Sequence, residues 1–215
     1  MVMKKYHLLL FFATFISCAS QLGTSSEDFI EPEPIEIVLR KDVFIDKGIF
    51  QVSYNEEFQQ PNWVEYVASN RAKNVSRGDL DFFSEPNVYT SDNNDYRNNP
   101  WDRGHMAPAA TFADTFENIQ TTFTYVNCAM QWDQLNQGEW VELEKQIRDW
   151  SIESDVKVRI TLVFEEDHII RDTGVHIPTG FEKKLTFADD TTRCFYFPNE
   201  ATSRNWDEYE VTCRS

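Results

Sequence analysis

The amino-acid sequence predicts an α+β domain with a mainly antiparallel sheet, and three observations carry that prediction. Strand-type alternation occurs early, at Phe50-Gln51-Val52-Ser53-Tyr54. It returns late, over nine positions from Val156 to Phe164. Between them lies one stretch of helical periodicity, so the order runs strands, then a polar motif and a helix, then strands.

Each element has its own warrant. Trp63-Val64-Glu65-Tyr66-Val67 is rich in strand formers, and Gln59-Gln60-Pro61-Asn62 before it reads as the turn from the first strand. Residues 84–101 are rich in Asn, Asp, Ser and Pro with little to bury, which predicts a loop. A polar motif follows at 101–112, then a strand-like stretch, Phe123-Thr124-Tyr125-Val126. Residues 136–150 predict one helix: at 100° per residue Trp140, Leu143, Ile147 and Trp150 fall in a stripe, with Lys145 opposite. Phe181 to Phe187 and Cys194-Phe195-Tyr196-Phe197 predict two further strands.

The chain of 215 residues divides into a leader region (1–20), a flexible tether (21–40) and one domain (41–215). Lys4 and Lys5, the apolar run Leu8 to Ile16 and the small residues after it form a bacterial-type secretory signal, too short to span a bilayer. Phe15-Ile16-Ser17-Cys18 resembles a lipoprotein box, apart from Phe15, and would make Cys18 a lipidated first residue. The expected location is therefore outside the cytoplasm of a bacterium, as an outer-membrane lipoprotein or as a periplasmic or secreted protein. Glu31-Pro32-Glu33-Pro34 keeps the tether extended.

Charge narrows the function. Twenty basic against 36 acidic residues give a net charge of -16. That excludes a protein that coats nucleic acid electrostatically, but not one that binds it in a local cleft, because charges beyond about 8 Å are screened. Four cysteines (Cys18, Cys128, Cys194, Cys213) form no CxxC pair, so zinc and thioredoxin-like sites lack support. In an oxidising compartment Cys194 and Cys213 could pair; three buried free thiols is the other reading.

The chemistry concentrates in Trp101-Asp102-Arg103-Gly104-His105-Met106-Ala107-Pro108-Ala109-Ala110. His105 can be neutral near pH 7 and accept a proton from water. Arg103 offers a permanent, two-pronged charge to phosphate, and Gly104 permits close backbone approach. A base beside an anion holder suggests phosphodiester chemistry, although such a tetrapeptide alone is more often a structural loop. On the helix, Asn136, Glu144 and Arg148 lie along one flank of the apolar stripe, where an amide, a carboxylate and a guanidinium could line a cleft; Glu144 and Arg148 could also be a surface ion pair. There is no Gly-x-Ser-x-Gly elbow or phosphate-binding glycine loop. His168 and His176 read as structural.

The block from Asp102 to Ala110, followed by Leu135-Asn136-Gln137-Gly138-Glu139-Trp140-Val141-Glu142-Leu143-Glu144, closely resembles the DNA/RNA non-specific endonucleases. These include endonuclease G and secreted bacterial sugar-non-specific nucleases, and the resemblance runs from about Tyr54 to Asn199. It implies a ββα-metal core of the His-Me finger type and hydrolysis of DNA and RNA with little sequence preference. It implies His105 as general base and Asn136 as protein ligand to a divalent ion, Mg²⁺ or another such as Mn²⁺. Glu144 corresponds to the acid that orients water on that ion, and Arg103 and Arg148 to the arginines that hold phosphate. Asp102 would brace its loop, and Arg77 is the candidate for a further upstream arginine. Two departures stand out: Met130 replaces the Pro that often precedes Gln131, and the strand Ile160 to Phe164 lacks a Thr-Gly-Pro run. A binding module without turnover and a phosphodiesterase of small nucleotides are the rival functions.

Overall fold

The computed structural model describes residues 38–214, and the leader, Cys18 and the tether up to residue 37 lie outside the described residues. Among the described residues nine strands and three α-helices form an α+β arrangement built on a large antiparallel sheet. The strands are β1 (Val43–Asp46), β2 (Phe50–Asn55), β3 (Gln60–Ala68), β4 (Trp101–His105), β5 (Cys128–Trp132), β6 (Val156–Val163), β7 (Gly180–Thr186), β8 (Thr192–Pro198) and β9 (Glu210–Val211). The helices are α1 (Phe116–Thr121), α2 (Asp133–Gln137) and α3 (Glu139–Trp150). Seven strands form one sheet in the order β1-β2-β3-β6-β7-β8-β9, and β4 pairs with β5 as a separate hairpin.

Period-2 alternation gives the sheet its buried face. Phe50, Val52 and Tyr54 on β2, Val64, Tyr66 and Ala68 on β3, and Val156, Val158, Ile160 and Leu162 on β6 all point inward. Phe181 and Leu185 on β7 and Phe195 and Phe197 on β8 continue that face. Onto it packs α3 through Trp140, Leu143 and Ile147, with the Trp140 ring 5.3 Å from Phe181 and 5.6 Å from Phe197. The outer face carries charge, as in the Arg159–Lys184 register pair. Cys194 and Cys213 are disulfide-bonded, tying β8 to the chain beyond β9, and Cys128 is a buried free thiol.

Several local expectations are corrected. The turn expected at 59–62 lies earlier, and β3 already begins at Gln60; Pro61 is accommodated because the β2–β3 register shifts between Ser53 and Tyr54, where a missing N–H breaks no regular ladder. The motif expected in a loop is largely strand β4, since Asp102 to His105 pair with Gln131 to Cys128. Phe123 to Val126, expected as a strand, instead enters a single 3₁₀ turn (Tyr125–Asn127) that Thr124 caps before β5. The helix expected from 136 to 150 is two helices divided at Gly138, where a Cβ would meet the Gln134 carbonyl oxygen at 2.5 Å. The break falls in the polar run Asn136-Gln137-Gly138-Glu139, before the apolar stripe begins at Trp140, so periodicity does not register it.

Buried amides hold the hairpin in place. Asn199 accepts from the Trp132 N–H and donates to the carbonyls of Met130 and Pro178, fastening β5 to the end of the large sheet. Asn127 accepts from the Ala107 N–H and donates to the Ala107 and Thr122 carbonyls, fixing the chain as it leaves β4. With no such partners these buried groups would each be left unsatisfied, at about 1–3 kcal/mol apiece.

Candidate active site

Side chains two apart on a strand share a face, so β4 presents Arg103 and His105 together. Gly104 between them is required by close approach: a Cβ there would lie 2.3 Å from Gln131 Oε1 and 2.8 Å from its Cβ, and Gln131 is fully buried on the paired strand. The hairpin leads directly into α2 and α3, which bring Asn136 and Glu144 to the same place. The result is a cleft of about 510 Å³ whose walls include Arg77, Arg103, His105, Asn136 and Glu144.

His105 sits between aromatic rings, with the Phe82 and Phe123 centroids each 4.7 Å away. Burial, then the neighbouring charges of Arg77 and Arg103, pushes its pKa down to about 3. The imidazole is therefore neutral at pH 7, and Nε2 has no hydrogen-bond partner among the described residues. A neutral ring with an uncommitted nitrogen is what a general base requires.

Arg103 is held from two sides. It donates to Asp81 and, at 2.6 Å, to Asn93, and it lies over the Phe82 ring at 5.2 Å. Asp81 is held below the usual carboxylate range by the Phe82 N–H, then by Arg103. Arg77 lies over Phe123 at 5.6 Å and has no carboxylate partner among the described residues, so its charge is less compensated than that of Arg103.

Asn136 donates through Nδ2 to Asp102 at 2.9 Å, and Gln137 donates to the same oxygen at 2.8 Å. An ionised carboxylate only accepts, so this contact fixes which end of the amide is which and leaves Asn136 Oδ1 uncommitted. Asp102, expected to brace its own loop, instead holds the Asn136 and Gln137 side chains at the cleft. An amide oxygen presented to a polar cleft suits a hard, water-rich cation better than zinc, and among the described residues no cluster of three or more His, Cys, Asp or Glu offers a cage.

Glu144 is buried on the cleft wall, and desolvation raises its pKa while Lys183 and Arg148 pull it back. Arg148, one turn further along α3, is not part of the cleft wall; its enclosed Nη1 has no hydrogen-bond partner among the described residues. The structure therefore brings four of the five expected residues to one cleft and leaves Arg148 off its wall. His168 and His176 bond each other at 2.6 Å beside Phe58, on a loop of their own.

Reading single positions missed the supporting residues. Asp81 and Phe82 fall in a stretch, Asp81 to Pro86, that resembles the family but gave them no role, and Asn93 and Phe123 carry no local signature, because these roles come from long-range closure. Lys183 was detectable: it occupies the inward phase of β7 between Phe181 and Leu185.

A β-hairpin that presents a histidine, running into helices that present an amide and a carboxylate across one cleft, defines the ββα-metal class of nuclease core. The chain belongs to the DNA/RNA non-specific endonuclease family, whose model matches residues 39–215. It is 33% identical over 103 residues to the mitochondrial nuclease EXOG of Danio rerio, covering 46% of this chain and 30% of that protein. It is 29% identical over 146 residues to the Xenopus laevis EXOG (63% and 37%), and 37% identical over 76 residues to mitochondrial endonuclease G of Bos taurus (34% and 25%). These matches span about a third of the relatives' own length. A solved structure of the EndoG/EndoGI complex superposes with a TM-score of 0.71 at 27% identity, covering 80% of each chain. The family is one of metal-dependent nucleases, which implies a divalent cation.

Proposed function

We propose that this chain is an exported, divalent-cation-dependent endonuclease that hydrolyses phosphodiester bonds of DNA and RNA with little sequence preference. The observation that carries the reading is the single cleft that gathers His105, Arg103, Asn136 and Glu144, with Arg77 at its side. Asn136 Oδ1 would hold Mg²⁺, or Mn²⁺ in its place, with water completing the shell. The bound cation would stabilise charge on the phosphate and on the departing oxygen.

The chain's own groups do the rest. His105, neutral and with Nε2 free, takes a proton from the attacking water. Glu144 orients water in the cleft. Arg103 and Arg77 hold the phosphate as charge builds, and Arg148, one turn beyond Glu144, has an Nη1 with no partner among the described residues. All of these address phosphate, water or cation, and phosphate contacts carry no base sequence directly.

The leader sequence supports export, with Cys18 as a lipid anchor to a bacterial outer membrane or simple secretion as the alternative. The Cys194–Cys213 bond fits an oxidising compartment, and no described helix is long and apolar enough to cross a membrane. Mass spectrometry of the mature N-terminus decides lipidation: an unmodified terminus beyond Cys18 would refute it. Incubating the purified chain with plasmid DNA and with RNA, with Mg²⁺ and with chelator, tests the activity. Cleavage of both that stops under chelation is expected; binding without cleavage would instead make the chain a nucleic-acid-binding module.

A further inference from the structure

Lys183 is fully buried and makes no hydrogen bond among the described residues. Its position in β7 alternates with Phe181 and Leu185, and in register it faces Ile160 on β6 and Phe195 on β8, an otherwise apolar surface. A buried ammonium without hydrogen bonds is heavily penalised, and an apolar residue of similar volume would serve the core better. Two features offset the penalty. Nζ lies 3.4 Å from the centroid of the Trp140 ring, whose face attracts a cation. One turn after Trp140 on α3 comes Glu144, buried on the cleft wall.

We propose that Lys183 is a positioning residue of this site: a buried cation, seated on Trp140 behind α3, that keeps Glu144 ionised and turned to the cleft. The inference rests on the role given to Glu144 above. Burial works to neutralise that carboxyl, and Lys183 opposes this more strongly than Arg148 does. Burial also lowers the pKa of Lys183 itself, to about 8, which leaves the ammonium in place at neutrality. The other group of the cluster is Tyr66 on β3, whose hydroxyl is buried and lacks a partner. Lys183 therefore never touches substrate, and its effect passes through Glu144.

The test compares the full chain with Lys183→Met, Glu144→Gln and the double variant. Urea unfolding is measured without metal, and kcat and KM are measured on plasmid DNA with Mg²⁺. Each single variant leaves the other buried charge less compensated, so each unfolds at lower urea, and the double variant loses less than the sum of the two. Lys183→Met lowers kcat about ten- to a hundredfold, as loss of an outer-shell partner does, with KM changed less than about twofold. In the Glu144→Gln background, the same change at 183 leaves the residual kcat unaltered.

Additive stability losses, or an equal drop in kcat with and without Glu144, would overturn the proposal. Should Lys183→Met alone fail to fold, Glu144→Gln against the double variant still decides: the double must be at least as stable and equally active. If the wild-type chain cleaves nothing, the nuclease reading fails, while the stability cycle still judges the pair.

Discussion

The protonation of His105 offers the most direct check on the site. An ordinary imidazole has a pKa near 6.5, so at pH 5 only about 3% of it is neutral. His105 lies between two aromatic rings and near two guanidinium groups, and its pKa is pushed down to about 3. At pH 5 that makes it about 99% neutral, a thirtyfold difference in the basic form. Titrating the metal-free chain from pH 8 to pH 4 while following the histidine ring carbons by NMR measures this directly. His105, assigned by its disappearance in His105→Ala, should hold its neutral shifts throughout. Loss of kcat/KM on acidification should then be set by another group, with Glu144, whose pKa is raised, the candidate. Phe82→Ala removes one ring and admits water, so it should move the His105 midpoint upward. A His105 midpoint at or above 6 in the wild-type chain would refute the argument, because it would mean that neither burial nor the arginines act on the ring.

Other outcomes follow from individual contacts. His105→Ala should lower turnover by about 10²–10⁴-fold while DNA binding persists; a folded variant of full activity defeats the mechanism. Asn136→Ala should instead regain part of its rate as Mg²⁺ is raised, since it weakens cation occupancy and leaves the base intact. Asp102→Ala frees the Asn136 amide to turn, so the Mg²⁺ concentration for half-maximal rate should rise about 10–100-fold; an unchanged requirement would show that the amide is held by other means. Cys194→Ser opens a disulfide between residues 19 apart and should lose about 3 kcal/mol. Thermal unfolding with and without reductant checks it: reductant should lower the wild-type midpoint and leave the variant's alone.

Much of the fold was legible in the chain because burial on one face imposes a local period. Strands β2, β6, β7 and β8 each alternate against the same core, and the α3 stripe of Trp140, Leu143 and Ile147 repeats at the helical spacing. The motif residues were legible through resemblance: Arg103-Gly104-His105 and Asn136 to Glu144 are contiguous segments that match the family's motifs, whereas their chemistry alone left a structural loop and a surface ion pair open. Boundaries fared worse. Gly138 divides two helices within a polar run that precedes the apolar stripe, and the short edge strands β1 and β9 have too few residues to show a period.

By itself, then, the sequence determined the antiparallel α+β class and the family's motif segments, and it offered Arg77 as a candidate. Only the tertiary structure decided what those residues are chemically. It supplied Asp81 and Asn93 to hold Arg103 from 22 and 10 residues away, Phe82 and Phe123 to strip water from His105, and Asp102 to turn the Asn136 amide. It also set Lys183 against Trp140, across a gap of more than forty positions. Periodicity reports which face a residue buries, because each residue samples its own element. A pKa or a held rotamer depends on groups that reach the site through other elements, and no local spacing encodes their arrival.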